Sequence, residues 1–506
     1  MTEPLLFEKS VAGRHGVRVP GLLHTEANPL ARLSPRVRRE EPAPLPAVSE
    51  LDAVRHFTRL SQRNFAIDKN FYPLGSCTMK YNPKANDAVA GMPGFAQLHP
   101  YQTHPGDIQG ILEVYYETAR WLSVICGMAE FTLAPAAGAN GELTGMLIMQ
   151  AWHQKHKTGR DVVIVPKAAH GTNPATAALC GFKVREIAEG PDGCVDIEAL
   201  KAAVDNKTAG LMLTNPNTLG VFEKDIRTVA DIIHQAGGLV YYDGANLNAI
   251  VGRARPGDMG YDIVHVNLHK TFSTPHGGGG PGSGPVGVSE QLREFLPVPR
   301  IVRERIDEAD GNGHVVGEGD VQDPPGWRYA LQESAPEAIG RLMAFHGNTG
   351  IIVRAYNYML NLGAEGIRNV ADLAVLNANY VKARLADKWN APYKGLCKHE
   401  FVLTLAREAR DHHVTAFNVA KRLLDFGFHS PTVYFPTVVK ECLLIEPTET
   451  ESMETLDAFI DAMGRIHEEM VNGSNELREA PVTLEVGRVD DVKAARELNV
   501  CCRVGA

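Results

Sequence analysis

The sequence lacks long apolar runs, and no stretch of its 506 residues is apolar over a length that could cross a bilayer. The first residues, MTEPLLFEKSVAG, carry an acid at position 3 and only a short apolar run. They therefore lack the basic and then apolar order of a secretory signal. An excess of basic residues is also missing, because the formal net charge is -9. These absences predict a cytoplasmic protein without a membrane span, and they give no reason to expect nucleic-acid binding.

Paired cysteines are also lacking. The 8 cysteines are scattered along the chain without a CxxC pair, which argues against a disulfide framework or a zinc ribbon. We therefore expect no metal site, and we expect most cysteines to be small buried side chains. Cys501 and Cys502 lie near a terminus, where exposure and occasional oxidation are more common.

The composition is that of a globular protein with a large core. With 44% hydrophobic and 22% charged residues, the chain should divide into two or more domains. We expect an N-terminal arm and helix at 1–90, a large α/β domain at 91–340 and a small α+β domain at 341–506. Prolines and arginines make residues 1–48 an extended arm, and Ser49 can cap a helix that follows it.

Helical patterns alternate with short apolar strand patterns between about 107 and 290, which is typical of βαβ units around a mostly parallel sheet. Helical patterns also dominate 335–385, after a Gly- and Asp-rich segment at 308–326. The patterns predict helices at 107–126, 142–157, 225–236 and 413–426, and strands at 162–166, 210–214, 239–243, 263–267, 400–405 and 442–447.

Lys270 directly follows the strand pattern IVHVN and precedes the glycine run from Gly277 to Gly280. Ligands bind α/β sheets at the loops after the carboxyl ends of strands, and a partly desolvated amine there suits Schiff-base chemistry. A surface lysine beside a flexible loop is the alternative. The glycine run could let the backbone approach a ligand closely.

Asp243 closes the strand pattern LVYYD, one connection and one strand before Lys270, so both side chains should face the same sheet edge. A buried carboxylate needs a cation, and the protonated ring nitrogen of pyridoxal phosphate is a cation that needs an anion. Ala245 is small enough for a flat ring to lie against the backbone. A helix cap or turn residue is the alternative for Asp243.

The small-residue turn formed by Gly138, Ala139, Asn140 and Gly141 leads into a helix that should begin near Glu142. Free backbone N–H groups and the positive end of a helix dipole make such a turn a phosphate cradle, although many similar turns are only tight turns. The turn has neither a Walker motif nor GxGxxG spacing, which counts against nucleotide binding.

Three further polar positions follow strand patterns in the same region. His170 could stack on a cofactor ring, or it could be a hydrogen-bonded core histidine. His269 could bond the phosphate or orient the Schiff base, although neighbours in a strand point oppositely and His269 could instead face the scaffold. Thr214 or Asn215 could reach the phenolic oxygen of the cofactor, or TNPNTLG could simply be an Asn-Pro turn. These signals are weak one by one, but each lies at the carboxyl end of a predicted strand or at a helix start in one α/β region, and together they predict a cofactor site.

Several segments resemble the glycine decarboxylase P-protein family, and the resemblance covers about residues 65 to 450. They are YPLGSCTMKYNP at 72–83, HPGDIQG at 104–110, AAHGTNPATA at 168–177, DGANLNA at 243–249 and HKTFSTPHGGGGPGSGP at 269–285. The resemblance implies the aspartate-aminotransferase-like, type I pyridoxal-phosphate fold. It also implies that Lys270 binds pyridoxal 5'-phosphate as a Schiff base, that Asp243 pairs with the pyridine nitrogen and that His170 stacks on the ring. Ser76, Cys77 and Thr78 match the SCT motif of the family, which we expect near the substrate.

The activity that the resemblance implies is decarboxylation of glycine, with transfer of the aminomethyl group to the lipoyl arm of H-protein. The chain length is similar to that of the second subunit of the split bacterial form. Its implied partner is a homologous first subunit that lacks the lysine, and a heterotetramer is the expected assembly. Another pyridoxal-phosphate-dependent lyase or a transaminase is the alternative enzyme, since a fold does not determine a substrate. A non-catalytic assembly subunit is the alternative from another class.

Overall fold

The computed structural model describes residues 3–17, 33–39, 41, 43–99, 102, 104–277, 282–305 and 327–500. Its helices are α1 Glu50–Arg63, α2 Lys84–Ala90, α3 Pro93–Ala96, α4 Pro105–Cys126, α5 Gly138–Lys155, α6 Thr172–Leu179, α7 Ile197–Ala203, α8 Ile226–Gln235, α9 Thr349–Leu385, α10 Ala406–Asp411, α11 Ala416–Asp425, α12 Met453–Val471, α13 Asn475–Glu479 and α14 Asp491–Arg496. Its strands are β1 Glu130–Thr132, β2 Val162–Pro166, β3 Lys183–Ile187, β4 Thr208–Thr214, β5 Leu239–Gly244, β6 Ile263–Val266, β7 Val286–Val288, β8 Arg300–Arg305, β9 Trp327–Gln332, β10 Phe401–Thr404, β11 Thr432–Val433 and β12 Cys442–Ile445.

A seven-stranded sheet with the order β1-β7-β6-β5-β4-β2-β3 forms the centre of the large module. The pairs β2 with β3, β2 with β4, β4 with β5 and β5 with β6 are parallel, whereas β7 is antiparallel to both β1 and β6. Strands β2, β5 and β6 are buried along their whole length, because helices cover both faces of a parallel sheet. The predicted mostly parallel sheet is confirmed.

A smaller three-stranded antiparallel sheet, with the order β10-β12-β11, lies in the C-terminal module. Helices α11 and α12 and the second half of α9 cover it, and Phe459, Met463 and Leu443 are fully buried there. Helix α9 joins the two modules, since its first half packs in the core of the large sheet and its second half packs in the core of the small one. The domain boundaries expected at 90/91 and 340/341 stay predictions.

Most predicted elements are found within a few residues of their expected bounds. Ser49 caps α1 as expected, because its side chain accepts a 3.1 Å hydrogen bond from the N–H of Asp52. The helical pattern expected from 335 was wrong at its start, because α9 begins only at Thr349. Pro336, Gly340 and Gly347 interrupt the intervening segment, and both glycines have positive φ.

None of the helices in the described ranges is both long enough and apolar enough to span a bilayer. The Gly- and Asp-rich segment at 308–326, most of the glycine run after Gly277, and the pair Cys501 and Cys502 lie outside the described residues.

Candidate active site

The carboxyl ends of three neighbouring parallel strands bring the predicted polar residues together. Thr214 at the end of β4 is in register with Asp243 of β5, and Asp243 is in register with His265 of β6. Lys270 follows β6 after a short turn, in which its N–H donates a 3.1 Å hydrogen bond to the carbonyl of Asn267. The parallel order of β4, β5 and β6 therefore places these residues at one edge of the sheet.

The half-buried amine of Lys270 points toward the segment that carries the SCT motif. Its Nζ donates a 2.8 Å hydrogen bond to the carbonyl oxygen of Ser76. Ser76 has a φ of 61°, which is the left-handed region that non-glycine residues rarely adopt. Such a backbone conformation persists only where surrounding contacts hold it, and it is common at functional sites.

Asp243 is the buried anion of the site. Its Oδ2 accepts a 2.9 Å hydrogen bond from Asn173 Nδ2, and its Oδ1 accepts a 3.1 Å hydrogen bond from the N–H of Ala245. The same Asn173 Nδ2 also donates to Glu142 Oε2 at 3.0 Å, so one amide bridges two buried carboxyl groups. His265 Nε2 lies 3.5 Å from Asp243 Oδ1.

The two bridged carboxyl groups differ in charge. Burial and the neighbouring charge of Asp243 raise the pKa of Glu142 to about 8, so Glu142 is protonated at neutral pH. Burial opposes ionisation of Asp243 as well, but His265 and the hydrogen bonds from Asn173 and Ala245 hold its pKa below the ordinary value. Of these two groups, Asp243 is therefore a carboxylate and Glu142 is a neutral carboxylic acid at neutral pH.

The small-residue turn that we expected before Glu142 is the first turn of α5 instead. Helix α5 begins at Gly138, and no side chain of the described residues caps its amino end. The start of the helix was predicted too late in the sequence, because glycine disfavours helix. Glycine is nevertheless required at these positions, because packing leaves no room for a side chain. A Cβ on Gly138 would lie 2.7 Å from Asn267 Nδ2, and one on Gly141 would lie 2.6 Å from the carbonyl oxygen of Gly284. Because no described side chain caps α5, its first N–H groups are available to an anion, as the hypothesis of a phosphate cradle requires.

The remaining predicted cofactor contacts lie at the same edge. Thr214 Oγ1 is buried and has no hydrogen-bond partner among the described residues. His170 is exposed, but it is close enough to Asp243 and Lys270 for both charges to act on its pKa, which partial desolvation lowers below the ordinary value. Its Nδ1 bonds Thr172 Oγ1. Its stacking on a ring stays a prediction.

His269 faces the loop that follows the glycine run. Its Nδ1 accepts a 3.3 Å hydrogen bond from the N–H of Ser283, and its ring lies 5.0 Å from the ring of His276. Burial, together with His276 and Lys270, lowers the pKa of His269 to about 3, so its ring is neutral. A role for His269 at the phosphate stays a prediction.

The SCT motif is held by two acids of the C-terminal module that the sequence patterns did not indicate. Glu400 Oε2 accepts a 2.7 Å hydrogen bond from the N–H of Ser76, and Glu446 Oε1 accepts a 2.6 Å hydrogen bond from Thr78 Oγ1. Cys77 Sγ lies 3.7 Å from His276 Nε2. Burial raises the pKa of the Cys77 thiol, although Lys270 acts in the opposite direction.

Sequence reasoning missed several residues that the structure places beside the predicted ones: Glu142, Asn173, His265, Glu400 and Glu446. Asn173 lies within the AAHGTNPATA segment and Glu142 follows the small-residue turn, so proximity to predicted residues could have indicated both. Glu400 and Glu446 come from a different module, and no local pattern connects them to Lys270.

The residues present fit pyridoxal 5'-phosphate. Asp243 is an anion without a lysine or arginine partner among the described contacts, and it suits a pyridinium nitrogen. The uncapped start of α5 suits a phosphate, and the unpartnered Thr214 Oγ1 suits a polar ring substituent. Lys270 supplies the amine that a carbonyl compound requires.

Comparisons with known proteins agree with this arrangement. Residues 370–483 match the family model described as glycine dehydrogenase, C-terminal domain, and residues 141–297 match the model described as aminotransferase class-V. The chain is 51% identical over 505 residues to a probable glycine dehydrogenase (decarboxylating) subunit 2 of Methylococcus capsulatus, which covers 99% of both chains. It is 50% identical over 497 residues to the protein of the same description in Thermococcus onnurineus, which covers 98% of this chain and 94% of the relative.

Solved structures show the same fold at low sequence identity. A glycine decarboxylase P-protein in inhibitor-bound form superposes with a TM-score of 0.69 at 21% identity, over 86% of this chain and 94% of that one. A glutamate decarboxylase of Lactobacillus brevis superposes with a TM-score of 0.62 at 13% identity, over 92% of this chain and 98% of that one. The predicted aspartate-aminotransferase-like fold is confirmed.

Proposed function

The chain belongs to the family of glycine dehydrogenase (decarboxylating) subunit 2 proteins, and we propose that it removes the carboxylate of glycine as CO₂ by means of pyridoxal 5'-phosphate held on Lys270. The observation that carries the proposal is the position of Lys270 at one sheet edge with the ionised Asp243 and the uncapped start of α5. Each of these groups suits a different chemical part of pyridoxal 5'-phosphate.

The cofactor would be held at three points. The Lys270 amine would bind its carbonyl carbon, the first N–H groups of α5 would bind its phosphate, and Asp243 would face its ring nitrogen. When bound, the cofactor supplies a conjugated ring that accepts the electron pair released as CO₂ leaves. Thr214, Ala245, His170 and His269 are the further residues that we propose around it.

The charges of the chain favour loss of a carboxylate. Asp243 would favour a positive charge on the ring nitrogen of the cofactor, because the hydrogen bonds from Asn173 and Ala245 stabilise the ionised form of Asp243. Glu142 stays neutral and therefore adds no second negative charge beside Asp243. The buried strands β4, β5 and β6 exclude water from the inner side of the site, and a dry site favours release of a charged group.

The partners follow from the same proposal. The relatives are described as subunit 2, which implies a partner subunit. We propose that this partner is a homologous first subunit and that the lipoyl arm of H-protein receives the aminomethyl group. Ser76, Cys77 and Thr78 would lie on the substrate side, because Ser76 contacts the Lys270 amine.

Exchange of labelled bicarbonate into the carboxyl group of glycine tests the reaction, with the chain assayed alone and with its partner subunit and H-protein. We expect exchange for the wild type and only background exchange for Lys270→Ala. Lys382→Ala is a matched control, because Lys382 is also partly buried but bonds the carbonyls of Tyr393 and Gly395 in the C-terminal module. Exchange retained by Lys270→Ala, or amino transfer to a keto acid without exchange, would contradict the proposal.

A further inference from the structure

Two buried acids of the C-terminal module lie side by side beneath the SCT motif. Glu400 directly precedes β10 and Glu446 directly follows β12, and the pairing of Phe401 with Ile445 places both acids at the same end of this antiparallel ladder. Glu400 is 3% exposed and Glu446 is 1% exposed. Ligand atoms of both acids and of His399 lie within 4.8 Å of one another. None of these residues belongs to the large module that carries Lys270.

Two carboxylates this close in a buried place cannot both ionise cheaply, because each disfavours the charge of the other. Glu446 Oε2 has no hydrogen-bond partner among the described residues, and His399 Nδ1 has none either. Burial lowers the pKa of His399 to about 3, so this ring is neutral and does not compensate a second negative charge. A single proton on the pair removes one of the two buried charges, and it is the arrangement that this proximity favours.

The two acids hold the segment that contacts Lys270. Glu400 Oε2 accepts from the N–H of Ser76, while Glu446 Oε1 accepts from Thr78 Oγ1 and, at 2.8 Å, from Asn246 Nδ2. Ser76 needs such support because of its left-handed backbone. Its carbonyl oxygen accepts the hydrogen bond from Lys270 Nζ.

The backbone of the segment is fixed on its other side by β12. The N–H of Gly75 donates a 3.3 Å hydrogen bond to the carbonyl of Leu444, and Leu74 forms an antiparallel bridge with Ile445. A Cβ on Gly75 would overlap Leu444, so this close approach requires glycine. The C-terminal module thus determines where the Ser76 carbonyl lies.

We propose that Glu400 and Glu446 are positioning residues for Lys270, and that the pair shares one proton while it holds the segment from Ser76 to Thr78. The pair acts through this segment. The inference rests on the proposed function only in taking Lys270 as the residue that binds the cofactor.

Several other titratable groups surround the pair. Lys270 acts on both acids and Glu449 acts on Glu446. Cys77 lies on the held segment, and burial raises its pKa. Around Lys270 itself lie the acids Glu142 and Asp243 and the rings of His170, His265, His269 and His276. Burial raises the pKa of Glu446 to about 7 and raises that of Glu400 well above the ordinary value, so Glu446 ionises as the pH rises through about 7 while one proton stays on Glu400.

The rate of covalent capture of pyridoxal phosphate tests the proposal without any turnover. Apoprotein is mixed with pyridoxal phosphate, quenched with borohydride at intervals, and the labelled Lys270 peptide is quantified by mass spectrometry. Glu400→Ala and Glu446→Ala should slow capture by about tenfold to a hundredfold, since a small misplacement of a reacting group has effects of this size. They should also weaken the visible circular dichroism of the bound cofactor.

The conservative variants separate the hydrogen bond from a general loss of structure. In Glu400→Gln and Glu446→Gln the amide oxygen can still accept from Ser76 or Thr78, so capture should recover to within about threefold of the wild type. Glu223→Ala is a matched control, because Glu223 is another buried acid with a raised pKa of about 7, but it bonds Val195 and Asn217. This control should lose stability to urea while its capture rate stays normal.

The shared proton has its own measurement. The infrared band of protonated carboxyl groups should be weaker in Glu400→Gln than in the wild type at pH 8, because this substitution removes the acid that keeps the proton when Glu446 ionises. Equal bands in Glu400→Gln and the wild type at pH 8 would contradict the shared proton. Capture that depends on a divalent cation, and is abolished by EDTA, would also contradict it, because a metal ion would then join the two acids.

The positioning role is overturned if the two alanine variants capture pyridoxal phosphate at the wild-type rate with wild-type circular dichroism. It is equally overturned if the glutamine variants are as slow as the alanine variants while their urea midpoints match that of the wild type. Failure of the wild type to be labelled at Lys270 would contradict the proposed function instead, so the two failures are distinguishable.

Discussion

Lys80 Nζ lies 2.6 Å from Glu449 Oε1 in a buried ion pair that connects the segment after the SCT motif to the C-terminal module. The same Nζ donates a 2.7 Å hydrogen bond to the carbonyl of Thr271, the residue after Lys270, and lies 3.3 Å from the hydroxyl oxygen of Tyr358 in α9. Burial alone would lower the pKa of Lys80, but Glu449 and Tyr358 raise it above the ordinary value. One ammonium group therefore joins four parts of the chain beside the candidate site.

Lys80→Met should destabilise the protein by about 3–5 kcal/mol, because it leaves the Glu449 carboxylate buried without a cation. The double variant Lys80→Met with Glu449→Met should recover part of this loss, since removing both charges removes the uncompensated one. Urea unfolding of the three proteins measures both values. A single variant as stable as the wild type would show that the pair is solvated in solution.

Asn173→Leu should reduce the free energy of unfolding by about 1–3 kcal/mol, because it removes the amide that bonds both Asp243 and Glu142. The same substitution in a Glu142→Gln background should cost less, since a glutamine amide can itself donate to Asp243. This double-mutant cycle isolates the bridge from the packing of the side chain. Equal costs in both backgrounds would exclude a bridging role for Asn173.

Glu142 should make the stability of the apoprotein depend on pH. Its pKa in the folded protein is about 8, above the value of 4.5 for an ordinary glutamate. A raised carboxyl pKa favours folding fully below pH 4.5, and this contribution is lost as the pH rises from 4.5 to about 8. Glu142→Gln cannot ionise, so its stability relative to the wild type should increase across this window by on the order of a few kcal/mol. Urea midpoints at pH 5, 6, 7 and 8 measure the difference, and a constant difference would show that Glu142 is ionised throughout.

Much of the large module could be predicted because its local signals are strong. The apolar runs that form β2, β5 and β6 are buried on both faces, so each is visible as a short hydrophobic segment followed by a polar residue. Strand β3 was missed, since its sequence KVREI is mostly polar and partly exposed at the edge of the sheet. The order of the strands also needed the structure, because β7 reverses direction between β1 and β6.

The sequence predicted the candidate site residues that lie at one edge of the large sheet. It did not predict those that the C-terminal module contributes. Asp243, Thr214 and Lys270 follow neighbouring strands, so their grouping follows from the parallel order alone. Glu400 and Glu446 reach the site only because the C-terminal sheet docks against the SCT motif. Ser76 and Glu400 are in contact although more than 300 residues separate them in the sequence. No periodic pattern in the sequence encodes such a contact.

Gly141→Ala tests whether close packing determines the start of α5. Alanine favours helix over glycine by about 0.5–1 kcal/mol, so propensity alone predicts a more stable protein. The Cβ would lie 2.6 Å from the carbonyl oxygen of Gly284, and this backbone oxygen is buried and cannot rotate away. We therefore expect a net loss of about 1–3 kcal/mol in urea unfolding and weaker binding of pyridoxal phosphate in a titration.

Gly110→Ala supplies the matched control for this change. Gly110 lies inside α4, and a Cβ there would meet no heavy atom of the described neighbouring residues within 4 Å. This variant should gain about 0.5–1 kcal/mol and bind the cofactor normally, because only the helix propensity changes. Opposite signs for the two substitutions would show that the close contact between α5 and the loop before β7 outweighs helix propensity at the proposed phosphate site. A gain in both would mean that α5 can move away from Gly284, and the close contact would then not determine where the first N–H groups of α5 lie.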